Sequence, residues 1–242
     1  MSRSTTDPTS APLPGSDLVT DLRRLNTEPE KTQLQLVQQL ADSGDSGLET
    51  LMEFLLERSQ QPSTTVGKAY RLLRTADTAK AKEFCQTHFP QGVVPLQSAQ
   101  AIDYSPLQDL LIQQDFQAAD RLTLEKLCEL AGETAIQRKW IYFTEVDGFP
   151  AVDLKTINSL WLVYSEGKFG YSVQRELWLG TGKNWEKLWP MIGWKSGNNW
   201  TRYPQEFTWD LSAPKGHLPL SNQLRGVRVI AAMLMHPAWT EK

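Results

Sequence analysis

The apolar positions of the first half recur every three and four residues, the period that lines side chains along one face of an α-helix. Within residues 17–90, Leu34, Val37, Leu40 and Ala41 form one stripe, and Leu48, Leu51, Met52, Leu55 and Leu56 form another. Breaks fall at Ser43-Gly44, at Pro62-Ser63 and over 75–77, and a further helix over 78–88 stops before Pro90. Short antiparallel helices joined by short turns predict a small helical bundle, with helical-repeat geometry as the alternative. No catalytic constellation accompanies this pattern, so its expected role is structural or partner-docking.

Residues 91–103 read as a linker, and a second helical unit opens at Ser105-Pro106. Ser105 as N-cap, Pro106 at the first helical position and Gln108 at the third spell a capping-box start. Leu107, Leu110 and Leu111 then share a stripe. Helices are expected over 116–130, where Ala119, Leu122, Leu127 and Cys128 recur, and over 134–143. Asp153 is expected to cap the next, which carries Leu154, Ile157, Leu160 and Trp161. The stretch 160–180, LWLVYSEGKFGYSVQRELWLG, suits two arrangements equally. One is a hairpin turning at Glu166-Gly167. The other is two helices, the first ending at Gly167 and the second capped by Ser172. Asn184 should cap a short helix over 185–191, and the last helix should run from near Ser221 to Met235, before Pro237.

Residues 193–229 keep neither period. They carry Trp194, Trp200, Tyr203, Phe207 and Trp209 among glycines, prolines and polar residues, the composition of an ordered loop. Five cations (Lys195, Arg202, Lys215, Arg225, Arg228) face two carboxylates there, although the whole chain carries a formal charge of −3. Aromatic surface ringed by cations suits a large, flat, apolar, anionic ligand. Trp200 and Tyr203, beside Asn198, Asn199 and Arg202, are expected at an exposed lip, whereas Trp209 reads as core. Arg225 and Arg228 lie three apart on the last helix, hence on one face, and Arg225 is nearer the loop. All nine tryptophans lie between Trp140 and Trp239, so the two halves have different core chemistry and are expected to be two domains.

Composition narrows the function classes. At 40% hydrophobic and 22% charged the chain is globular. Its mild charge argues against a surface given over to nucleic acid, although a single-stranded nucleic-acid module stays as the alternative reading of exposed rings and cations. No apolar run approaches the roughly 20 residues needed to span a bilayer. Residues 1–16 read as a disordered tail and make a poor transit or signal peptide. Cys128 reads as a buried, inert thiol. His217, within APKGHLP, reads as a turn residue bonded to backbone rather than a metal ligand, since no Cys/His cluster has ligand spacing. There is no phosphate loop or nucleophile elbow, so no enzyme is expected.

Two long strings, IYFTEVDGFPAVDLKTINSLWLVYSEGKFGYSVQ and FTWDLSAPKGHLPL, resemble the tetrapyrrole-binding regulators of magnesium chelatase, the Genomes Uncoupled Four family. The resemblance covers about 105–239, and the preceding bundle resembles the cyanobacterial form. It implies an all-α fold with long ordered loops, a tetrapyrrole-binding core domain over 104–242, and helices rather than a hairpin over 160–180. It further implies a non-catalytic protein that binds protoporphyrin IX and magnesium protoporphyrin IX and stimulates magnesium chelatase through its porphyrin-handling H subunit. An apolar palm under two loops, about 192–208 and 212–225, would hold the ligand. The candidate porphyrin-binding residues are Leu110, Leu111, Trp194, Trp200, Tyr203, Phe207, Asn222, Arg225 and Arg228, with no metal ligand and no cofactor. A cytoplasmic location follows, with any contact to photosynthetic membranes peripheral or partner-borne. The plant members' phosphorylated C-terminal tail is not expected, because the chain stops six residues after His236.

Overall fold

The computed structural model describes residues 14–58, 61–220 and 227–240. Among these residues there are thirteen α-helices and one two-stranded ribbon, so the fold is all-α, as the sequence predicts. Helices α1 (Pro14–Thr27), α2 (Glu30–Asp42), α3 (Asp45–Arg58), α4 (Thr64–Thr75) and α5 (Ala79–His88) make the N-terminal bundle. Its starts follow local chemistry: Ser63 and Thr78 accept hydrogen bonds from the Val66 and Ala81 backbone N–H groups, satisfying two otherwise unpartnered donors. The apolar stripes of α2, α3 and α4 turn inward as Val37, Leu51, Leu55, Ala69 and Leu73.

The second unit comprises α6 (Ser105–Ile112), α7 (Phe116–Ala131), α8 (Glu133–Arg138), α9 (Phe143–Val146), α10 (Ala151–Tyr164), α11 (Tyr171–Gly180) and α12 (Trp185–Met191). The ribbon β1 (Lys195–Ser196) and β2 (Asn199–Trp200), helix α13 (Arg228–Met235) and a 3₁₀ turn at Pro237–Trp239 complete it. Helix α10 is central, with Leu154, Ile157, Leu160 and Trp161 fully buried. The Trp161 indole N–H donates to Thr123 Oγ1 of α7 at 3.0 Å. On its other side α10 meets α4, where Gly67 lets the backbones close. A Cβ there would stand 2.3 Å from Val163 Cγ1 and 2.5 Å from the Val163 carbonyl oxygen. One apolar core therefore runs through both units, from Leu25 to Ala238.

Several local expectations change. Residues 91–103 are a packed strap, with Val93 and Val94 buried. The strap is tied to α6 and α10 by Gln108 Nε2 donating to the Gln91 carbonyl (2.9 Å) and Thr156 Oγ1 to the Gln97 carbonyl (2.8 Å). Asp153 does not cap α10. It lies inside the first turn, fully buried, where its carboxylate accepts from the Ala99 N–H (2.9 Å) and the Tyr104 hydroxyl (2.8 Å). The capping box at Ser105 is absent, because Ser105 donates to Asp103 and Gln108 turns inward to the strap. The helix expected over 134–143 is two short ones, α8 and α9, and Lys139 ends α8 in the left-handed region at φ 62°. Residues 160–180 are two helices. The first ends at Tyr164 and the second starts after Gly170, while the Ser172 N–H bonds to Asn158. The last helix is described from Arg228, and its expected start at Ser221 lies outside the described residues.

Candidate functional site

The segment over 193–220 is a loop fastened at several points. The Trp194 indole, 1% exposed, stacks on Trp189 with ring centroids 5.7 Å apart and donates its N–H to the His217 carbonyl at 2.8 Å. Trp189 continues a stack through Trp185 (5.0 Å) to Trp178, whose ring lies 4.8 Å from that of Trp185. Beyond Trp194 the chain turns in the β1–β2 ribbon, where Lys195 pairs with Trp200. Thr201 closes it, bonding the Trp194 and Gly193 carbonyls.

His217 is a turn residue bonded to backbone, as the sequence predicts. Nδ1–H donates to the Ile192 carbonyl at 2.6 Å, and Nε2 accepts the Thr208 N–H at 3.2 Å. Burial lowers its pKa, against a smaller opposing pull from the Ile192 carbonyl, so the ring is neutral and both nitrogens are engaged. Gly216, at φ +80°, sets this turn against α11; a Cβ there would press on Leu177 at 2.8 Å. Gln174 Nε2 donates to the Gly216 and Pro219 carbonyls at 3.0 and 2.9 Å. The loop ends where Asp120 Oδ1 of α7 accepts the Leu220 N–H at 2.7 Å.

Between α7, α8 and this loop lies a cleft of about 530 Å³. Leu124, Cys128, Ile136 and Leu220 give it an apolar lining, Asp120 and Tyr203 also line it, and Arg121 and Lys139 bring cations to it beside the carboxylates of Glu125 and Glu129. That volume falls within the range of small-molecule pockets, and the mix of apolar floor with a few polar groups is typical of them. Cys128 contributes only as an apolar group, since burial pushes its thiol up to about 11.

Of the candidate residues, Tyr203 lines the cleft and is 37% exposed. Trp200 is 49% exposed on β2, with its ring against Trp189 and the Lys195 ammonium 5.4 Å from its centroid. Both are exposed, and Tyr203 alone of the two lines the cleft. Trp194, Phe207 and Leu111 are buried and offer no face to a ligand, and Leu110 is half-buried against the core. Trp209 is half-buried, its N–H held by the Pro204 carbonyl, in keeping with its core reading. Arg228 is exposed, its guanidinium 5.4 Å over the Phe143 ring. Asn222 and Arg225 lie outside the described residues. Sequence reasoning missed Asp120, Arg121, Leu124, Ile136 and Lys139. Asp120 had a readable signal, a carboxylate in helical register with the buried Phe116, Thr123 and Leu127.

A family model described as GUN4-like matches residues 97–237. The chain belongs to the GUN4-like family. A second model, described as ARM-like repeat domain, GUN4-N terminal, matches residues 13–90, so the helical-repeat alternative for the bundle has the better support. This GUN4-like chain is 53% identical over 229 residues to a Ycf53-like protein of Synechocystis sp. (strain ATCC 27184 / PCC 6803 / Kazusa), covering 93% of the chain and 98% of that relative. It is 37% identical over 145 residues to a tetrapyrrole-binding protein, chloroplastic, of Arabidopsis thaliana, covering 56% of the chain and 55% of that relative. The structure of GUN4 from Chlamydomonas reinhardtii superimposes with a TM-score of 0.58 at 40% identity, over 61% of this chain and 95% of that one. Ligand-free Arabidopsis thaliana GUN4 matches with a TM-score of 0.53 at 37% identity, over 59% and 99% of the two chains.

Proposed function

We propose that the cleft between α7, α8 and the 193–220 loop binds protoporphyrin IX and magnesium protoporphyrin IX, and that the chain stimulates magnesium chelatase through its H subunit without itself catalysing a reaction. The observation that carries the reading is the cleft itself. It has an apolar floor, it is bordered by Arg121 and Lys139 as well as by Glu125 and Glu129, and Leu220 in its lining directly precedes in sequence the segment that holds Asn222 and Arg225. Likeness to a relative named as tetrapyrrole-binding supports the ligand class. Burying a flat macrocycle contributes roughly 25 cal/mol per Å² of apolar area removed from water. The two propionates on one edge need cations, and a hydrogen bond to a charged group adds about 1.5–3 kcal/mol. The H subunit follows from the family resemblance. Among the described residues no helix is long and apolar enough to cross a membrane, so the proposed contact with photosynthetic membranes is peripheral or partner-borne.

The test is a titration of the full chain with deuteroporphyrin, read by the Soret band and by tryptophan fluorescence. A shifted Soret band with quenching is expected. An unshifted band, with salt-sensitive binding of an oligonucleotide instead, would favour the nucleic-acid reading. Arg225→Ala should weaken binding of the diacid by about ten- to a hundredfold, since each 1.4 kcal/mol is a factor of ten. The same variant should cost little against the propionate diester. Trp200→Ala should weaken both, by loss of apolar contact that salt does not screen.

A further inference from the structure

Asp120 anchors the loop through one carboxylate oxygen, but that anchoring does not call for an ionisable group. It sits on the buried stripe of α7 and is 5% exposed, yet no cation pairs with it among the described residues. Its Oδ1 accepts the Leu220 N–H, and Oδ2 has no hydrogen-bond partner among the described residues although the side chain lines the cleft. The groups around it come from three directions. On α7 are Arg121, Glu125 and Glu129, and at the end of α8 is Lys139. From α11 comes the buried Tyr171 hydroxyl, which has no hydrogen-bond partner among the described residues, and from the loop comes Tyr203. The ionisation of both tyrosines is disfavoured, first by burial and then by the charge of Asp120, so both stay neutral near pH 7. Burial pushes Asp120 itself up to about 7, against a smaller pull downward from the Leu220 N–H.

We propose that Asp120 is the specificity-determining residue by which the cleft separates metallated from free tetrapyrrole: ionised, it offers a carboxylate oxygen to the central magnesium; protonated, it accepts the metal-free macrocycle. This rests on the tetrapyrrole reading above and departs from the expectation that no side chain engages the metal. The chemistry is that of a hard cation. Magnesium in a macrocycle has its four equatorial positions filled by nitrogen and takes oxygen at an axial one, where a carboxylate is a preferred ligand. A free macrocycle offers no positive centre. Covering the cleft with it strips water from an unpaired carboxylate, which favours the neutral acid. The two ligands therefore move the same proton in opposite directions. Free macrocycle is bound with proton uptake and loses affinity as pH rises, whereas the magnesium form is bound with proton release and gains affinity.

The experiment titrates the full chain with deuteroporphyrin and with magnesium deuteroporphyrin at pH 6, 7 and 8, reading tryptophan quenching and the Soret band. The measured quantity is the ratio of the two dissociation constants, in which the titration of the propionates cancels because both ligands carry them. In the native chain the preference for the magnesium form should rise by about tenfold between pH 6 and pH 8, as linkage through one group allows up to tenfold per unit. Asp120→Asn keeps an acceptor for the Leu220 N–H and removes the titration, so its ratio should stay level across that range. A level ratio in the native chain overturns the proposal without any variant. So does an Asp120→Asn ratio that climbs as the native one does. Absence of binding by either ligand would remove the tetrapyrrole reading together with this one, whereas binding with an indifferent ratio removes this one alone.

Discussion

His217 and Asp120 hold one loop by different means. The imidazole is kept neutral and spends both nitrogens on backbone, while the carboxylate meets one N–H and no cation. Because the folded pKa of Asp120 lies near 7 and its ordinary value is 3.8, the folded chain holds a proton that the unfolded chain has released between those limits. The contribution to stability is therefore complete below about pH 4 and is lost as pH rises through 7. Asp120→Asn should abolish that loss, so the variant should gain on the order of a few kcal/mol over the native chain at pH 8 and little at pH 4. Urea unfolding at the two pH values measures the difference, and equal gains at both would deny the burial of an ionised group. At this scale the sequence was partly legible. Polar neighbours placed Trp200 and Tyr203 outside, but an aperiodic segment does not encode which rings turn inward, and Trp194 and Phe207 did. Asp120 is readable from its register on α7, although the apolar members alone suffice to predict that helix.

Among the elements, those whose ends depend on adjacent residues were the ones read well. Thr78 and Asn184 cap α5 and α12 through backbone N–H groups three positions on. Ser105 and Asp153 were misread because distant or off-helix partners claim them. Asp153 serves a strap 54 positions away in sequence, and no local pattern announces that. The α4–α10 contact was equally unreadable, since Gly67 looks from the sequence like a weak point in a helix. In the fold it is where two backbones meet. Gly67→Ala should put a methyl within 3 Å of the Val163 backbone oxygen and Cγ1. Overpacking of this kind costs about 1–3 kcal/mol, and thermal unfolding should show a lower midpoint even though alanine is the better helix former. An unchanged or raised midpoint would mean that the two helices can part without penalty.

For the whole molecule, the strap decides where the second unit starts. Cutting before residue 91 keeps Val93, Val94 and both donors to Asp153, the Ala99 N–H and the Tyr104 hydroxyl, whereas cutting before 105 removes both donors from a buried carboxylate. A buried acceptor left without its donor costs about 1–3 kcal/mol. The fragment 91–242 should therefore fold and bind deuteroporphyrin within about threefold of the full chain, a difference below 1 kcal/mol. The fragment 105–242 should unfold at lower urea. Equal midpoints for the two fragments would make the strap dispensable. A folded 91–242 that failed to bind would assign the bundle a part in the site. The division into two units is read from where tryptophan occurs, and one apolar core passes through both halves.

The stacked indoles from Trp178 to Trp194, with Trp200 leaning on Trp189, also form an optical unit. Excitation absorbed by any one of them migrates among the rest before emission, so the protein's ultraviolet fluorescence should be depolarised even when the molecule tumbles slowly. A chromophore seated close to any one of these rings would drain the whole set through whichever lies nearest. Dimming of the emission would then report its arrival, whichever indole it touches.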